Sequence, residues 1–280
     1  MSPQPVIAIS GATGNIGRRV ANDLTAIGAQ LRLIVRDASR APAGATDVAE
    51  ATYGDRAAAD AALRGVDVLF MVSAAESADR LDQHRTFIDA AAAAGVQHVV
   101  YTSFLGAAPD AQFTLGRDHW ATEEHLRGSG MHVTFLRDSF YLDFLPTLAG
   151  EDGVIRGPAG DGRVTAVARA DVARSAAAVL RDPAAHAGAT YDLTGPEALT
   201  LTEVARIITE LTGRVTTYHV ETIEEAYASR RHFGAPDWQL DAWVSTYTAI
   251  ASGALDLVTD TVEQLTGTAP ISLADLLRQS

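Results

Sequence analysis

The stretch Val6-Ile7-Ala8-Ile9-Ser10-Gly11-Ala12-Thr13-Gly14-Asn15-Ile16-Gly17-Arg18-Arg19-Val20 decides the fold. A short β-branched apolar run leads straight into Gly-x-x-Gly-x-x-Gly, and an amphipathic helix follows with Val20 and Leu24 on one face. A glycine pattern means little alone; between a strand and a helix it marks a dinucleotide turn. Gly11 permits the sharp turn, Gly14 lets backbone N–H groups approach a pyrophosphate, and Gly17 lets the helix pack closely. The positive end of the helix dipole then favours the phosphates, so Thr13, Asn15 and Ile16 join the glycines as cofactor contacts.

Outward from this turn the chain alternates strands and helices. Strand patterns cover 6–9, 31–35, 47–51, 66–72, 96–102 and 132–136; helical patterns cover 16–27, 56–63, 81–94 and 117–127. Apolar strands alternating with helices predict an α/β fold with a doubly wound parallel sheet. Residues 1–150 are read as this dinucleotide-binding domain, and 151–280 as a smaller C-terminal α/β lobe over the open end of the sheet, with the chain able to cross between them. In that lobe the expected elements are short strands at 154–156, 164–167, 189–193 and 217–220, with a helix to Leu180 capped by Asp171. Further helices are expected at 201–211, 223–230, 238–252 and 273–277. Trp238, Trp243, Tyr247, Phe233 and His232 suit either a pocket for a flat substrate or helix packing.

At 280 residues the chain needs no staple to hold a core. It has no cysteine, which excludes disulfides and thiolate chemistry, and no lysine, so all 22 basic residues are arginine. Against 35 acidic residues the net charge is −13, which opposes nucleic-acid binding. No apolar run reaches the roughly 18 residues of a membrane span, and no signal-peptide pattern opens the chain. The expectation is a cytoplasmic protein, monomer or homodimer, acting on a small molecule without a metal.

Arg36 ends the second strand, roughly 20 residues beyond the glycines, where a dinucleotide domain reads the adenosine ribose. Its fork suits a 2′-phosphate, which favours NADPH over NADH; Asp37 is the competing ribose ligand, and only one of the two faces the site. Asp55 after the third strand is placed to reach the adenine, and Ser73 and Ala74 after the fourth to let the dinucleotide pass. Turn chemistry also accounts for both.

Taken together, Gly11-Ala12-Thr13-Gly14, Val35-Arg36, Tyr101-Thr102-Ser103, His119-x-x-Thr122-Glu123, Leu136-Arg137, Phe140-Tyr141 and Leu265-Thr266-Gly267-x-x-Pro270 resemble the NmrA-like branch of the short-chain dehydrogenases. Within that branch the chain is most similar to type-2 quinone oxidoreductases and triphenylmethane-reductase-like proteins. The resemblance implies a Rossmann fold and hydride transfer from NADPH to a quinone-like or other conjugated electrophile. Two alternatives are a non-catalytic NADP-sensing regulator and a biosynthetic imine or carbonyl reductase. The superfamily's Tyr-x-x-x-Lys pair is absent, its spacing taken by His119 and Glu123, which suits acceptors needing little proton assistance. The resemblance places nicotinamide contacts on Asp138, Ser139 and Phe140, where relatives usually carry Asn in place of Asp138. His119, Ser103 and Tyr141 are the catalytic candidates. His119 reads equally as a general acid or as a structural partner of Glu123 one turn on, and Ser103 as a substrate ligand or a strand-end cap.

Overall fold

A computed structural model describes residues 4–279 apart from 43 and 46. Eleven strands are described: β1 (Val6–Ser10), β2 (Gln30–Val35), β3 (Val48–Glu50), β4 (Val68–Met71), β5 (His98–Phe104), β6 (His132–Asp138), β7 (Val154–Gly157), β8 (Arg163–Val164), β9 (Thr190–Leu193), β10 (Leu199–Thr200) and β11 (Thr217–Val220). The helices are α1 (Asn15–Ala26), α2 (Arg56–Leu63), α3 (Arg80–Ala94), α4 (Thr114–Arg127), α5 (Arg169–Arg181), α6 (Leu201–Thr212), α7 (Ile223–Arg230), α8 (Asp237–Ala251), α9 (Thr261–Thr266) and α10 (Leu273–Arg278).

Seven strands form one parallel sheet in the order β3-β2-β1-β4-β5-β6-β9, with helices on both sides. This is the doubly wound Rossmann-like α/β fold expected from the strand–helix alternation. Every residue of β4 and β5 is buried, the mark of strands covered on both faces. Strand order reverses between β1, whose neighbour β2 follows it in sequence, and β4 on its other side, so the ligand crevice of such a sheet opens at their carboxyl ends.

The chain divides into two compact units. Unit one holds the chain up to Ser103 with Asp118–Arg137 and Val172–Tyr191. Its core packs Ile34, Leu63, Leu69, Met71, Phe87, Ile88, Tyr101, Leu126 and Phe135. Gly95 ends α3 in the left-handed conformation at φ 82°. Unit two holds Phe104–Arg117, Asp138–Asp171 and the chain from Asp192, so the chain passes into it well before residue 150. Its own core includes Phe104, Leu142, Ile155, Val164, Leu201, Ile208, Tyr247, Ile250 and Leu273. Capping boxes start α6, with Thr200 and Glu203, and α7, with Thr222 and Glu225.

Two expectations are corrected here. Asp171 is not the cap of α5, which begins at Arg169; its carboxylate accepts from the Ile271 N–H at 2.7 Å instead. The strand at 164–167 shortens to Arg163–Val164, because Thr165 turns both N–H and hydroxyl to the Leu255 carbonyl. The six-residue α9 carries no strong periodicity and was not anticipated.

Candidate functional site

In unit one, β1 delivers the chain to Gly11 at φ +62°, a conformation that excludes most other residues. The Gly14 N–H closes the turn on the Gly11 carbonyl at 2.8 Å. A Cβ at Gly17 would collide with that same carbonyl group, so this glycine is required for the helix to pack against the turn. Ile16 buries its side chain at the head of α1, while Gly11, Gly14 and Asn15 are exposed and Thr13 is half-buried. No side chain caps α1 and no acid occupies its first turn. The first amides of a twelve-residue helix are therefore open to an anion, which is what a dinucleotide pyrophosphate needs.

At the end of β2, Asp37 is committed to its own turn. Its carboxylate accepts from the Ser39 N–H at 3.0 Å and the Ser39 hydroxyl at 2.6 Å, and these bonds hold it below the usual carboxylate range. Arg36 beside it is exposed. Asp55 caps α2, its Oδ1 accepting from the Ala58 N–H at 3.0 Å.

The segment after β4 is held by its backbone. The Ser73 N–H donates to the Thr102 hydroxyl at 2.8 Å, the Ala74 N–H to His84 Nε2 at 2.9 Å, and the Ala74 carbonyl accepts from Arg80 Nε at 3.0 Å. Because His84 Nε2 accepts, its proton lies on Nδ1, which donates to the Thr122 hydroxyl at 2.9 Å; that hydroxyl in turn donates to the Asp118 carbonyl at 2.7 Å. His119 is built the same way. The Arg80 guanidinium donates to its Nε2 at 3.0 Å, leaving Nδ1–H to donate to the Tyr101 hydroxyl at 3.0 Å. Burial, reinforced by the Arg80 charge, pushes both imidazoles well below their ordinary titration range, so both are neutral.

Glu123 serves a different cluster. Its fully buried carboxylate takes the Ser103 hydroxyl at 2.6 Å, both arms of Arg137 at 2.8 and 2.7 Å, and Arg127 at 3.0 Å. The Ser103 hydroxyl proton is thereby engaged inside the protein.

Unit two supplies the residues after β6. Asp138 is 3% exposed, and its Oδ2 accepts from the Tyr141 hydroxyl at 2.5 Å. Burial pushes its carboxyl up to about 7, against the opposing pull of the Tyr141 bond. Ser139 anchors its N–H on the Leu193 carbonyl, and its buried hydroxyl has no hydrogen-bond partner among the described residues. Phe140 packs edge-on against Phe104 and Phe113, at 5.1 and 5.3 Å between ring centroids. The half-buried Tyr141 ring lies 4.9 Å beneath the Arg169 guanidinium. An orphaned hydroxyl and a carboxyl poised near neutrality are polar capacity of the kind a ligand completes.

The C-terminal aromatics separate. Phe233 meets His232 and Trp243, whereas Tyr247 packs against Gly157 with Arg230 over its ring. The sequence reading missed Arg80, His84, Thr102, Thr122 and Arg137 as organisers. Their partners are remote; Thr102, Thr122 and Arg137 stand in the quoted motifs without a role read for them, and His84 was signalled only as a polar residue within the apolar pattern of α3. Among the described residues no group of three metal-ligating side chains occurs, and no helix is long and apolar enough to cross a membrane.

The chain matches the NmrA-like family over residues 3–232. It is 37% identical to quinone oxidoreductase 2 of Escherichia coli across 96% of both chains. Among solved structures, an NADPH complex of an NADPH-dependent quinone oxidoreductase from Escherichia coli superposes with a TM-score of 0.89, at 36% identity over 98% of this chain and 99% of the other. The Citrobacter triphenylmethane reductase complexed with NADP(H) superposes with a TM-score of 0.87, at 29% identity over 98% and 99%. The chain belongs to the NmrA-like family.

Proposed function

We propose that this member of the NmrA-like family is an NADPH-dependent reductase that passes hydride to a quinone-like or related conjugated acceptor, without a Tyr/Lys pair. The observation that carries the reading is the uncapped head of α1 behind the Gly11 turn, with Arg36 as the exposed cation at the end of β2. The overall likeness to an NADPH-bound quinone oxidoreductase supports it.

Gly11, Thr13, Gly14, Asn15 and the Ile16 backbone would hold the pyrophosphate, with Gly17 keeping the helix close enough. Arg36 would take the 2′-phosphate, Asp55 the adenine side, and Ser73 and Ala74 the passage of the dinucleotide. Asp138, Ser139 and Phe140 would meet the nicotinamide. When bound, the cofactor supplies the hydride. Ser103 and His119, both tied into the interior, act by keeping the strand ends and the segment after β4 in place. The net charge of −13 favours a small-molecule partner over nucleic acid, and we place the protein in the cytoplasm as a monomer or homodimer.

Fluorescence titration with NADPH and NADH tests the reading, alongside NADPH oxidation against a panel of quinones, azo dyes, imines and ketones. NADPH should bind more tightly. Arg36→Ala should weaken NADPH by about 1.5–3 kcal/mol while leaving NADH almost unaffected. Equal affinity for the two cofactors in the wild type would defeat the assignment of Arg36.

A further inference from the structure

At the carboxyl end of β6 two hydroxyl-bearing groups and one carboxyl stand within four residues, and one pair is coupled. Tyr141 Oη lies 2.5 Å from Asp138 Oδ2. The tyrosine backbone is fixed on both sides: Leu142 N–H donates to the Val167 carbonyl and Val167 N–H to the Phe140 carbonyl, each at 2.8 Å. Arg169 stacks over the ring, and its own N–H is held by the Asp143 carboxylate at 2.9 Å. The phenol is thus a positioned group just past the carboxyl end of a strand in a parallel sheet, the end outside which ligands of such sheets bind.

We propose that Tyr141 is the proton donor for the reduced acceptor and that Asp138, acting through it, is the positioning residue and proton reserve. The inference rests on the reductase reading above. It assigns the proton step to acceptors that develop negative charge on oxygen, namely quinones and conjugated ketones.

The proton order follows from the pair's two states. With Asp138 ionised, the Tyr141 O–H points at the carboxylate, as the structure shows. With Asp138 protonated, the carboxyl O–H donates to the Tyr141 oxygen, and the phenolic hydrogen turns outward. Hydride addition to a quinone carries two electrons from the dihydronicotinamide and leaves an aryloxide. The Tyr141 O–H bond then breaks as one forms to that oxygen, and the Asp138 proton passes to the Tyr141 oxygen. The carboxylate that remains recovers a proton from water, so the sum is one hydride and one proton added to the quinone.

The balance of forces on Asp138 suits this cycle. Burial raises its affinity for a proton, while the Tyr141 hydroxyl and its own backbone oppose that; no charged side chain contributes to its shift. The Arg169 guanidinium lies over the tyrosine ring, and the Asp143 carboxylate accepts from the Arg169 backbone N–H. The reserve is filled below about pH 7 and empties above it.

The test has two arms. Carbon-detected NMR of the cofactor-free protein, labelled at aspartate carboxyls, should show one carboxyl titrating near pH 7 that is missing in Asp138→Asn and moves higher in Tyr141→Phe. Turnover is then compared for a quinone and for a cationic triarylmethane dye, which becomes neutral on taking hydride and needs no proton. Wild-type quinone reduction should fall as pH rises through 7 while dye reduction stays level. Tyr141→Phe should lower quinone reduction at pH 6 about tenfold or more, at the weak end for a general acid because a hydroquinone anion is itself stable. The same variant should lower dye reduction less than about threefold. Asp138→Asn should give a quinone rate that no longer depends on pH.

An Asp138 carboxyl titrating in the ordinary carboxylate range, or equal losses for both acceptors, overturns the relay and leaves the reductase reading standing. A wild type that reduces neither acceptor, yet shows the neutral carboxyl, overturns the reductase reading and the relay's role with it.

Discussion

Two buried polar clusters, one in each unit, differ in what they leave undone. In unit one, Arg80, His84, His119, Tyr101 and Thr122 form chains in which the proton positions on both imidazoles follow from their donors. The Glu123 carboxylate beside them takes four hydrogen bonds. In unit two, Asp138 has one side-chain bond and titrates near neutrality, and the Ser139 hydroxyl next to it has no partner among the described residues. Burial and polarity are common to both. A satisfied network fixes a backbone, whereas an incompletely satisfied one is available for chemistry.

The largest test removes the anchor of the satisfied side. Glu123→Ala leaves Arg137 without its bidentate carboxylate and Ser103 without an acceptor, and should cost about 3–4 kcal/mol in urea unfolding. A loss below about 1 kcal/mol would mean the cluster is not structural.

Next comes the opposite sign from unit two. A carboxyl whose folded pKa is raised from 3.8 to about 7 contributes stability that is present below 3.8 and is lost as pH climbs toward 7. Asp138→Asn should therefore flatten the stability profile between pH 4 and 7 and gain about 2–3 kcal/mol at pH 8 relative to wild type. A variant with the wild-type pH slope would show that burial does not destabilise this carboxylate.

The smallest effect falls on His119. His119→Ala leaves an Arg80 N–H without its acceptor and should cost about 1–2 kcal/mol of stability. Turnover with a quinone should change less than about fivefold, and its pH profile should keep its shape, because the imidazole is already neutral. A hundredfold loss of rate would return His119 to the role of general acid.

The dinucleotide turn was legible because everything that makes it is local: Gly11, Gly14 and Gly17 act on each other within two turns of chain. The strands of the large sheet were legible for the same reason, through short β-branched and apolar runs, whereas the two-residue β8 was legible only in part and the two-residue β10 not at all. The interior side-chain chemistry was not. Spacing suggested that His119 and Glu123 pair along α4, yet His119 answers to Arg80 on α3 and Glu123 to Arg137 on β6. Periodicity reports which face of a helix is buried and carries no information about which remote side chain meets it there. Asp171 illustrates the point, since its position suggested a helix cap while its partner is the Ile271 amide from the far end of the chain. Asp138 was noticed through a family departure, but its proton affinity depends on burial that only the folded chain reveals.

Gly157 and Tyr247 carry a consequence for how this chain can drift over generations. Any Cβ at position 157 would fall within the space the Tyr247 ring now fills. Arg230 covers that ring at 5.0 Å, so it has little room to withdraw. A larger residue at 157 is therefore admissible only after the aromatic at 247 has shrunk, and the ring can return only after 157 has reverted. The two sites inherit change as a linked pair, in a fixed order, and a library that varies position 157 alone should recover glycine.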